Sequence, residues 1–175
     1  CNFSLCPQFL KGWAALEPLK ELQEWSYEKE IGPNDALVDV KSTSLTRGDV
    51  QFIDNYWGDS KYPLIPGLEI MGTINKIGDK VSNFKGGDWV GIGYQVGVCF
   101  ECEYCKSGFE QFCDKQRLIP VNDFGGVADQ IIVDSRFAFS IPEKMRSYEF
   151  TPFLCSGLTV YSAIKSSGVL ADQKV

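Results

Sequence analysis

Four cysteines near the middle of the chain have the spacing of a metal site. Cys99, Cys102, Cys105 and Cys113 follow the pattern C-x2-C-x2-C-x7-C. Structural zinc takes four ligands in a tetrahedron with Zn–S bonds of about 2.3 Å, and Cys-x-x-Cys turns place neighbouring sulfurs near that geometry. Because four protein ligands leave no position for water, we expect one structural zinc ion per chain at these cysteines.

The alternative interpretation is a set of free or disulfide-bonded cysteines on a loop. The chain has seven cysteines, an odd number, and residues 1–10 lack the basic start and apolar core of a signal peptide. This combination is typical of metal binding in a reducing compartment, and we therefore expect a cytoplasmic location. Structural zinc contributes roughly 10–16 kcal/mol of apparent binding free energy in small peptides. We expect chelation to unfold the zinc lobe, which we define as residues 97–114.

The composition excludes some kinds of catalytic chemistry and some classes of partner. The chain has no histidine, which removes the commonest general base and the commonest nitrogen ligand of metals. Its net charge is -6 over 175 residues with scattered lysines, so it lacks the basic patch of a nucleic-acid-binding protein. The most apolar stretches have only the length of a strand, and we expect neither a nucleic-acid partner nor a membrane span.

The elements that must position these cysteines are mostly short strands. Apolar runs between Gly- and Pro-containing turns predict strands at 11–16, 22–27, 36–44, 68–77, 126–133 and 137–141, with a further strand after the turn at 84–88. A short helix is predicted at 47–56, and a helical pattern runs from Tyr148 to Lys165 around Phe153, Leu154, Leu158, Tyr161 and Ile164. The chain is therefore expected to be mainly β, with a small β-barrel and a C-terminal helix.

Several motifs, taken in chain order, resemble the zinc-containing medium-chain alcohol dehydrogenases, with the cinnamyl alcohol dehydrogenase type as the nearest branch. They are Tyr62-Pro63-x-x-Pro66-Gly67-x-Glu69-Ile70-x-Gly72, Phe84-Lys85-x-Gly87-Asp88, the glycines and cysteines of residues 90–113, Gly125-Gly126-x-Ala128 and Leu154-Cys155-x-Gly157-x-Thr159-x-Tyr161. The resemblance runs from about residue 11 to the C-terminus. It implies a GroES-like β-barrel catalytic domain at 11–165, preceded by a tail at 1–10. Residues 166–175 would start the link to a Rossmann domain that is absent from this chain.

The resemblance also implies a reaction and a second metal. In the family, hydride passes between an alcohol and an aldehyde, the Rossmann domain binds NAD(P), and a catalytic zinc polarises the substrate oxygen. The usual ligands of that zinc are a cysteine, the histidine of a Gly-His-Glu motif and a late cysteine. The matching positions here are Thr46, Leu68 and Cys155, so only the third ligand is kept.

Asp49, Glu69 and Arg47 complete the candidate site residues. Asp49 and Glu69 match acidic residues near the catalytic metal, but one thiolate and two carboxylates are a poor ligand set for zinc, so we expect no catalytic zinc. Arg47 matches a position near the cofactor pyrophosphate, where a guanidinium pairs well with phosphate, although a solvated surface arginine is the alternative interpretation. Gly48 replaces the hydroxyl residue of the family's proton relay. Trp57 matches a residue of the substrate pocket, with a core tryptophan as the alternative.

Two hypotheses about function follow. The first is an alcohol dehydrogenase-like oxidoreductase domain for a small alcohol or aldehyde, which requires a Rossmann domain for NAD(P) and is unable to turn over alone. The run Gly91-x-Gly93-x-x-x-Gly97 cannot replace that cofactor site, because its spacing is wrong and cysteines follow it instead of a helix. The second is a non-enzymatic, zinc-stabilised binding or interaction domain derived from a dehydrogenase. The substrate, the choice between NAD and NADP and the oligomeric state stay open.

Overall fold

The computed structural model describes residues 7–169 and Gln173, and its centre is a five-stranded antiparallel sheet. In chain order the strands are β1 (Gln8–Ala14), β2 (Gln23–Lys29), β3 (Asp35–Ser44), β4 (Glu69–Ile77), β5 (Trp89–Ile92), β6 (Gln95–Gly97), β7 (Arg117–Leu118), β8 (Gln130–Asp134) and β9 (Ala138–Ser140). The central sheet has the order β8-β3-β4-β5-β9, while β1 pairs with β2 and β6 with β7. Every strand pair in the described part of the chain is antiparallel.

The helices are few and short. They are α1 (Arg47–Ile53), α2 (Glu103–Lys106) and α3 (Ser156–Ser167), with 3₁₀ segments at Glu110–Phe112, Ser135–Phe137, Glu143–Met145 and Tyr148–Leu154. Among the described residues, none of these helices has the length and apolar character needed to cross a bilayer.

Strand β3 is buried on both of its faces. Successive side chains of a strand point to opposite sides, so Ala36 and Val38 lie on one face and Leu37 on the other. Ala36 and Val38 pack in the barrel interior with residues such as Ile70, whereas Leu37 packs with Leu10 of β1 in a second cluster. The paired strands β1 and β2 therefore form an outer layer over the central sheet.

Two backbone bridges attach β1 to the segments around the central sheet. Gly12 bridges Ala128, and Ala15 bridges Leu64, each in antiparallel fashion. The Ala15 amide donates to the Leu64 carbonyl at 2.8 Å. These bridges join β1 to the segments that precede β8 and β4, so the predicted mainly β fold with a small barrel and a C-terminal helix is confirmed.

The boundaries differ from the prediction at both ends. Strand β1 begins at Gln8, inside the predicted tail, and residues 1–6 of that tail lie outside the described residues. The predicted C-terminal helix is divided at Cys155, whose backbone is not helical, into a 3₁₀ segment that contains Pro152 and α3. Residues 170–172, 174 and 175 of the predicted link also lie outside the described part.

Strand β8 begins at Gln130, later than predicted, because residues 126–129 form a loop that packs beside the loop before β4. Gly126 donates its amide hydrogen to the Gly67 carbonyl at 2.9 Å, and a Cβ on Gly125 would lie 2.4 Å from the Pro66 carbonyl oxygen. The glycine pair thus permits a close backbone approach beside the loop that leads into β4.

Replacing Gly72 with alanine should destabilise the barrel. The new Cβ would lie 2.4 Å from the Asp39 carbonyl oxygen and 2.6 Å from Val38 Cγ1, between two paired strands. We expect Gly72→Ala to lower the free energy of unfolding by about 1–3 kcal/mol, measured by urea denaturation. The matched control is Gly86→Ala in an exposed turn, where the nearest atom would be 3.8 Å away, so a similar loss in both variants would contradict the packing argument.

Candidate functional site

The four lobe cysteines are presented by a loop whose two ends are fastened by a β-ribbon. Strand β6 ends at Gly97, just before Cys99, and β7 begins four residues after Cys113. Within the loop, Cys102 is the N-cap of α2, Cys105 lies inside that helix, and Cys113 follows a 3₁₀ turn. Short local elements therefore bring all four thiols to one point.

The thiol geometry fits zinc. All four Sγ atoms lie within 4.8 Å of one another. The Cys102–Cys105, Cys99–Cys113 and Cys99–Cys105 sulfurs are 3.5, 3.6 and 3.9 Å apart. A tetrahedron with 2.3 Å bonds to zinc requires sulfur–sulfur distances of roughly 3.8 Å. The predicted ligand set is thus assembled by the fold, and its four-thiolate chemistry is that of a structural zinc site.

Backbone amides prepare one of these thiols for metal binding. The amides of Glu101 and Cys102 donate to Cys99 Sγ at 3.4 and 3.3 Å. These hydrogen bonds, that from Glu101 first, lower the pKa of the Cys99 thiol to about 6. Desolvation, followed by hydrogen bonds to its neighbours, raises the pKa of the Cys105 thiol to about 12. Cys99 therefore offers the thiolate that zinc binds most readily.

The lobe rests on the barrel through an aromatic and cationic contact. The guanidinium carbon of Arg136 lies 3.8 Å from the ring centre of Phe100, and the Phe100 and Phe137 ring centres are 5.9 Å apart. Arg136 is held in place by Asp134, whose two carboxylate oxygens accept its Nε and Nη2 hydrogens. Gln95 adds a hydrogen bond of 3.1 Å to the Glu110 carbonyl. These contacts orient the lobe relative to the central sheet.

Cys155, the third ligand position predicted from the resemblance, borders an open cavity of about 710 Å³ between the lobe and the start of α3. Its thiol is half-buried, and burial followed by the nearby Glu69 carboxylate raises its pKa. Tyr94 and Thr159 border the same cavity. We name this space the Cys155 cavity.

Thr46 and Asp49 form a capping box at the start of α1. Asp49 Oδ2 accepts the Thr46 amide at 2.7 Å and the Thr46 hydroxyl at 2.9 Å, while Asp49 Oδ1 accepts the Gly67 amide at 2.6 Å. The side chain of Asp49 is fully buried. The carboxylate therefore joins α1 to the loop before β4, and both of its oxygens are engaged.

Glu69 makes a second buried connection, between β3, β4 and α3. Its Oε1 accepts the amide of Ser156, the first residue of α3, at 2.6 Å, and its Oε2 accepts the Ser44 hydroxyl. A carboxylate at this end of α3 is also favoured by the helix dipole. Only 1% of Glu69 is exposed, so the hydrogen bonds to Ser44 and Ser156 must satisfy its buried charge.

The remaining predicted site residues are apolar, small or exposed. Leu68 is buried in the main core, and its Cδ1 would lie 3.5 Å from a Cβ placed on Gly48. Arg47 is exposed at the first position of α1. Trp57 is half exposed, with its ring centre 4.9 Å from that of Phe52. The side chain of Leu68 thus serves the packing of the core.

The tetracysteine cluster differs from the other described acidic and thiol side chains in how close together its ligand atoms lie. Within residues 7–169, it is the one group of three or more Cys, Asp or Glu side chains whose ligand atoms are close enough to hold a metal ion. The electrostatic influence of Glu69 and Asp49 reaches Cys155, but these three side chains do not form such a group.

Sequence reasoning missed the partners that satisfy the buried acids. Ser44, Ser156 and the Gly67 amide carried no signal, because they are distant from Glu69 and Asp49 along the chain or donate through the backbone. The T-x-x-D pattern of Thr46 and Asp49 was readable as a helix cap, and that cap is present.

Comparison with known proteins confirms the resemblance. Residues 32–143 match the sequence model of the family described as "Alcohol dehydrogenase GroES-like domain". Cinnamyl alcohol dehydrogenase 3 of Arabidopsis thaliana is 39% identical over 169 residues, which cover 92% of this chain and 45% of that protein. Cinnamyl alcohol dehydrogenase 2 of Oryza sativa subsp. japonica is 37% identical over 169 residues, covering 91% of this chain and 46% of that protein.

The fold comparison agrees with the sequence comparison. The crystal structure of CAD from Helicobacter pylori complexed with NADP(H) matches with a TM-score of 0.89 at 31% identity, over 94% of this chain and 50% of that chain. A cinnamyl alcohol dehydrogenase, SbCAD4, from Sorghum bicolor matches with a TM-score of 0.86 at 32% identity, over 91% of this chain and 48% of that chain. The chain spans about half the length of the relatives it matches.

Removing the lobe metal should loosen the zinc lobe first. A strong chelator is expected to accelerate amide hydrogen exchange throughout residues 97–114, because the four thiols are the main contacts that order this loop. Cys113→Ser should lower the zinc content of the purified chain, measured by mass spectrometry of metals, whereas Cys155→Ser should leave it unchanged. Unaltered exchange in the lobe after complete metal removal would contradict a structural role.

Asp49→Asn should destabilise the fold through an unsatisfied amide hydrogen. Both carboxylate oxygens accept backbone N–H groups, from Thr46 and Gly67, so an asparagine must point its NH₂ at one of them. At a fully buried position we expect a loss of about 1–3 kcal/mol in the free energy of unfolding. Asp79→Asn, at an exposed turn, is the control, and equal stability of the two variants would count against the capping role.

Proposed function

Because the chain belongs to the family of alcohol dehydrogenase GroES-like domains, we propose that it is an alcohol dehydrogenase-like oxidoreductase domain with one structural zinc and no catalytic zinc. Its substrate class in a complete enzyme is a small alcohol or aldehyde. NAD(P) is bound only when a Rossmann domain is supplied, and the chain does not turn over alone. Its location is the cytoplasm, and its acidic charge disfavours nucleic acid as a partner.

The observation that carries this proposal is the state of the residues that match the family's catalytic-zinc site. Thr46 and Leu68 stand where the family has its other two zinc ligands, and Leu68 is packed in the core. Asp49 and Glu69 are engaged by hydrogen bonds on both oxygens. A single thiol with a raised pKa is a weak substitute for two thiolates and an imidazole.

Few polar side chains near Cys155 are free to donate a hydrogen bond to a substrate oxygen. The Thr46 hydroxyl donates to Asp49, and the Thr159 hydroxyl donates to the Cys155 carbonyl. Tyr94 borders the cavity, and burial raises its pKa, so its hydroxyl keeps its proton and can donate a hydrogen bond. Tyr94 is therefore the candidate that orients an alcohol or aldehyde oxygen when no zinc polarises it. Arg47, exposed at the start of α1, is the candidate for the cofactor pyrophosphate.

The second candidate function is a zinc-stabilised binding domain without activity. The observation that favours it is the same engagement of Asp49 and Glu69, which preserves the fold while removing the groups that would support a metal. The reading frame downstream of Val175 distinguishes the two functions. A following Gly-x-Gly-x-x-Gly strand-turn-helix supports the oxidoreductase, whereas an immediate stop codon supports the binding domain.

Metal stoichiometry tests the loss of the catalytic ion. We expect one zinc per purified chain, removed by Cys113→Ser and unaffected by Cys155→Ser. The pair Thr46→Cys with Leu68→His restores the two missing ligand types and should raise the content to two, while Thr46→Cys with Leu68→Met, which lacks the imidazole, should stay at one. Two zinc ions in the unaltered chain would refute this part of the proposal.

Cofactor titration tests the dependence on a second domain. We expect no calorimetric heat and no fluorescence change when NADPH or NADH is added to the zinc-loaded chain, because its glycines do not form the phosphate-binding turn of a Rossmann unit. Fusion to a Rossmann domain of a related dehydrogenase is the positive control. Saturable NADPH binding by the chain itself would contradict the assignment.

A further inference from the structure

One wall of the Cys155 cavity belongs to the zinc lobe. The cavity residues that the lobe contributes are Val98, Phe100, Cys105, Glu110 and Gln111. Another part of the wall is formed by Cys155, Leu158 and Thr159, at the start of α3. Cys105 is at the same time one of the four thiols of the metal site. The metal site and the cavity therefore share the side chain of Cys105.

The lobe has few other means of holding its wall in place. None of the residues 97–114 belongs to a hydrophobic core cluster of the described structure. Helix α2, which carries Cys105, is a single turn of four residues. Helices of this length are not stable in water by themselves. The lobe wall of the cavity therefore keeps its shape mainly when the four thiols are bound to one metal ion.

Phe100 connects the metal-binding turn to the cavity. It lies between Cys99 and Cys102 in the chain, and its φ of 60° is in the left-handed region that residues other than glycine rarely adopt. In the same turn, the amides of Glu101 and Cys102 donate to Cys99 Sγ at 3.4 and 3.3 Å. The backbone that surrounds this thiol thus also sets the position of the Phe100 ring.

The Phe100 ring contacts the barrel side of the cavity. The guanidinium carbon of Arg136 lies 3.8 Å from the centre of this ring, and the ring centre of Phe137 is 5.9 Å away. Both Arg136 and Phe137 border the Cys155 cavity, and Asp134 holds Arg136 through two hydrogen bonds. A contact between a cation and an aromatic ring is weak at a partly exposed site, so it lasts only while the lobe presents the ring.

We propose that metal binding to the lobe closes one side of the Cys155 cavity, and that Phe100 is the positioning residue for this effect. In the metal-free chain the turn from Cys99 to Cys102 loosens, the Phe100 ring leaves Arg136, and solvent reaches the Cys155 thiol. This inference rests on the structural zinc of the proposed function and does not depend on hydride transfer. Metal binding then controls access to the cavity as well as the order of the lobe.

Thiol labelling with peptide mapping tests the proposal. The zinc-loaded chain is treated with N-ethylmaleimide, with and without a strong chelator, and is then digested with trypsin. Cleavage after Arg146 and Lys165 releases a peptide in which Cys155 is the sole cysteine. Labelling of Cys155 should be several-fold faster after metal removal, because the lobe wall no longer shields the thiol. An unchanged rate after complete metal removal would overturn the proposal.

Variants of Phe100 separate its role from the loss of metal. Phe100→Gly suits the positive φ and removes the ring, so this variant should keep its zinc and be labelled at Cys155 several-fold faster. Phe100→Tyr keeps the ring and should retain the slow labelling. Phe109→Ala removes an exposed ring of the same lobe that does not line the cavity, and it should leave the rate unchanged. Equal rates in Phe100→Gly and Phe109→Ala would refute the role of Phe100.

Metal content and amide hydrogen exchange show which assignment fails. If the purified chain holds no zinc, the structural zinc and this inference are both wrong. If zinc is present and Cys155 is labelled equally with and without it, the zinc assignment stands and this inference alone fails. If chelation also removes the exchange protection of β3 and β4, the metal stabilises the whole barrel, and control of the cavity by the lobe wall is refuted.

Discussion

Two buried carboxylates without cationic partners join α1, α3 and the central sheet of this barrel. Asp49 and Glu69 are almost completely removed from water, and among the described residues neither takes part in an ion pair. A buried negative charge is tolerable only when several N–H or O–H groups point at it. Those groups come from the start of α1, the loop at Gly67, Ser44 of β3 and the start of α3. The charges therefore fix where four separate segments meet.

The zinc lobe is ordered by a different kind of interaction. Its helices are single turns, and its aromatic side chains, such as Tyr104, Phe109 and Phe112, are about half exposed. A segment that buries so little apolar surface gains its order mainly from metal–thiolate bonds. The contact of Arg136 with Phe100 then connects the lobe to the barrel, because Arg136 is held by Asp134 at the end of β8.

The surroundings of Cys155 illustrate how the fold uses polar groups that a site could otherwise use. The charges of Glu69 and Asp49 influence the Cys155 thiol, but the oxygens of both carboxylates accept hydrogen bonds that join segments of the fold. The number of hydrogen-bond partners already present therefore decides which atoms remain available to a ligand.

The sequence alone determined the metal cluster and the class of fold. Cysteine spacing predicts a zinc site because sulfur ligands a few residues apart meet through local turns, and short apolar runs between Gly and Pro predict a barrel of short strands. The identities of Thr46 and Leu68 also predict, from the resemblance, that two metal ligands are replaced. Only the tertiary structure decided what Asp49 and Glu69 do, since several of their partners lie on other segments. The tertiary structure also decided that the C-terminal helix is divided at Cys155 and that Leu158, Tyr161 and Ile164 are exposed. The helical periodicity predicts an apolar face, but it does not show what covers that face.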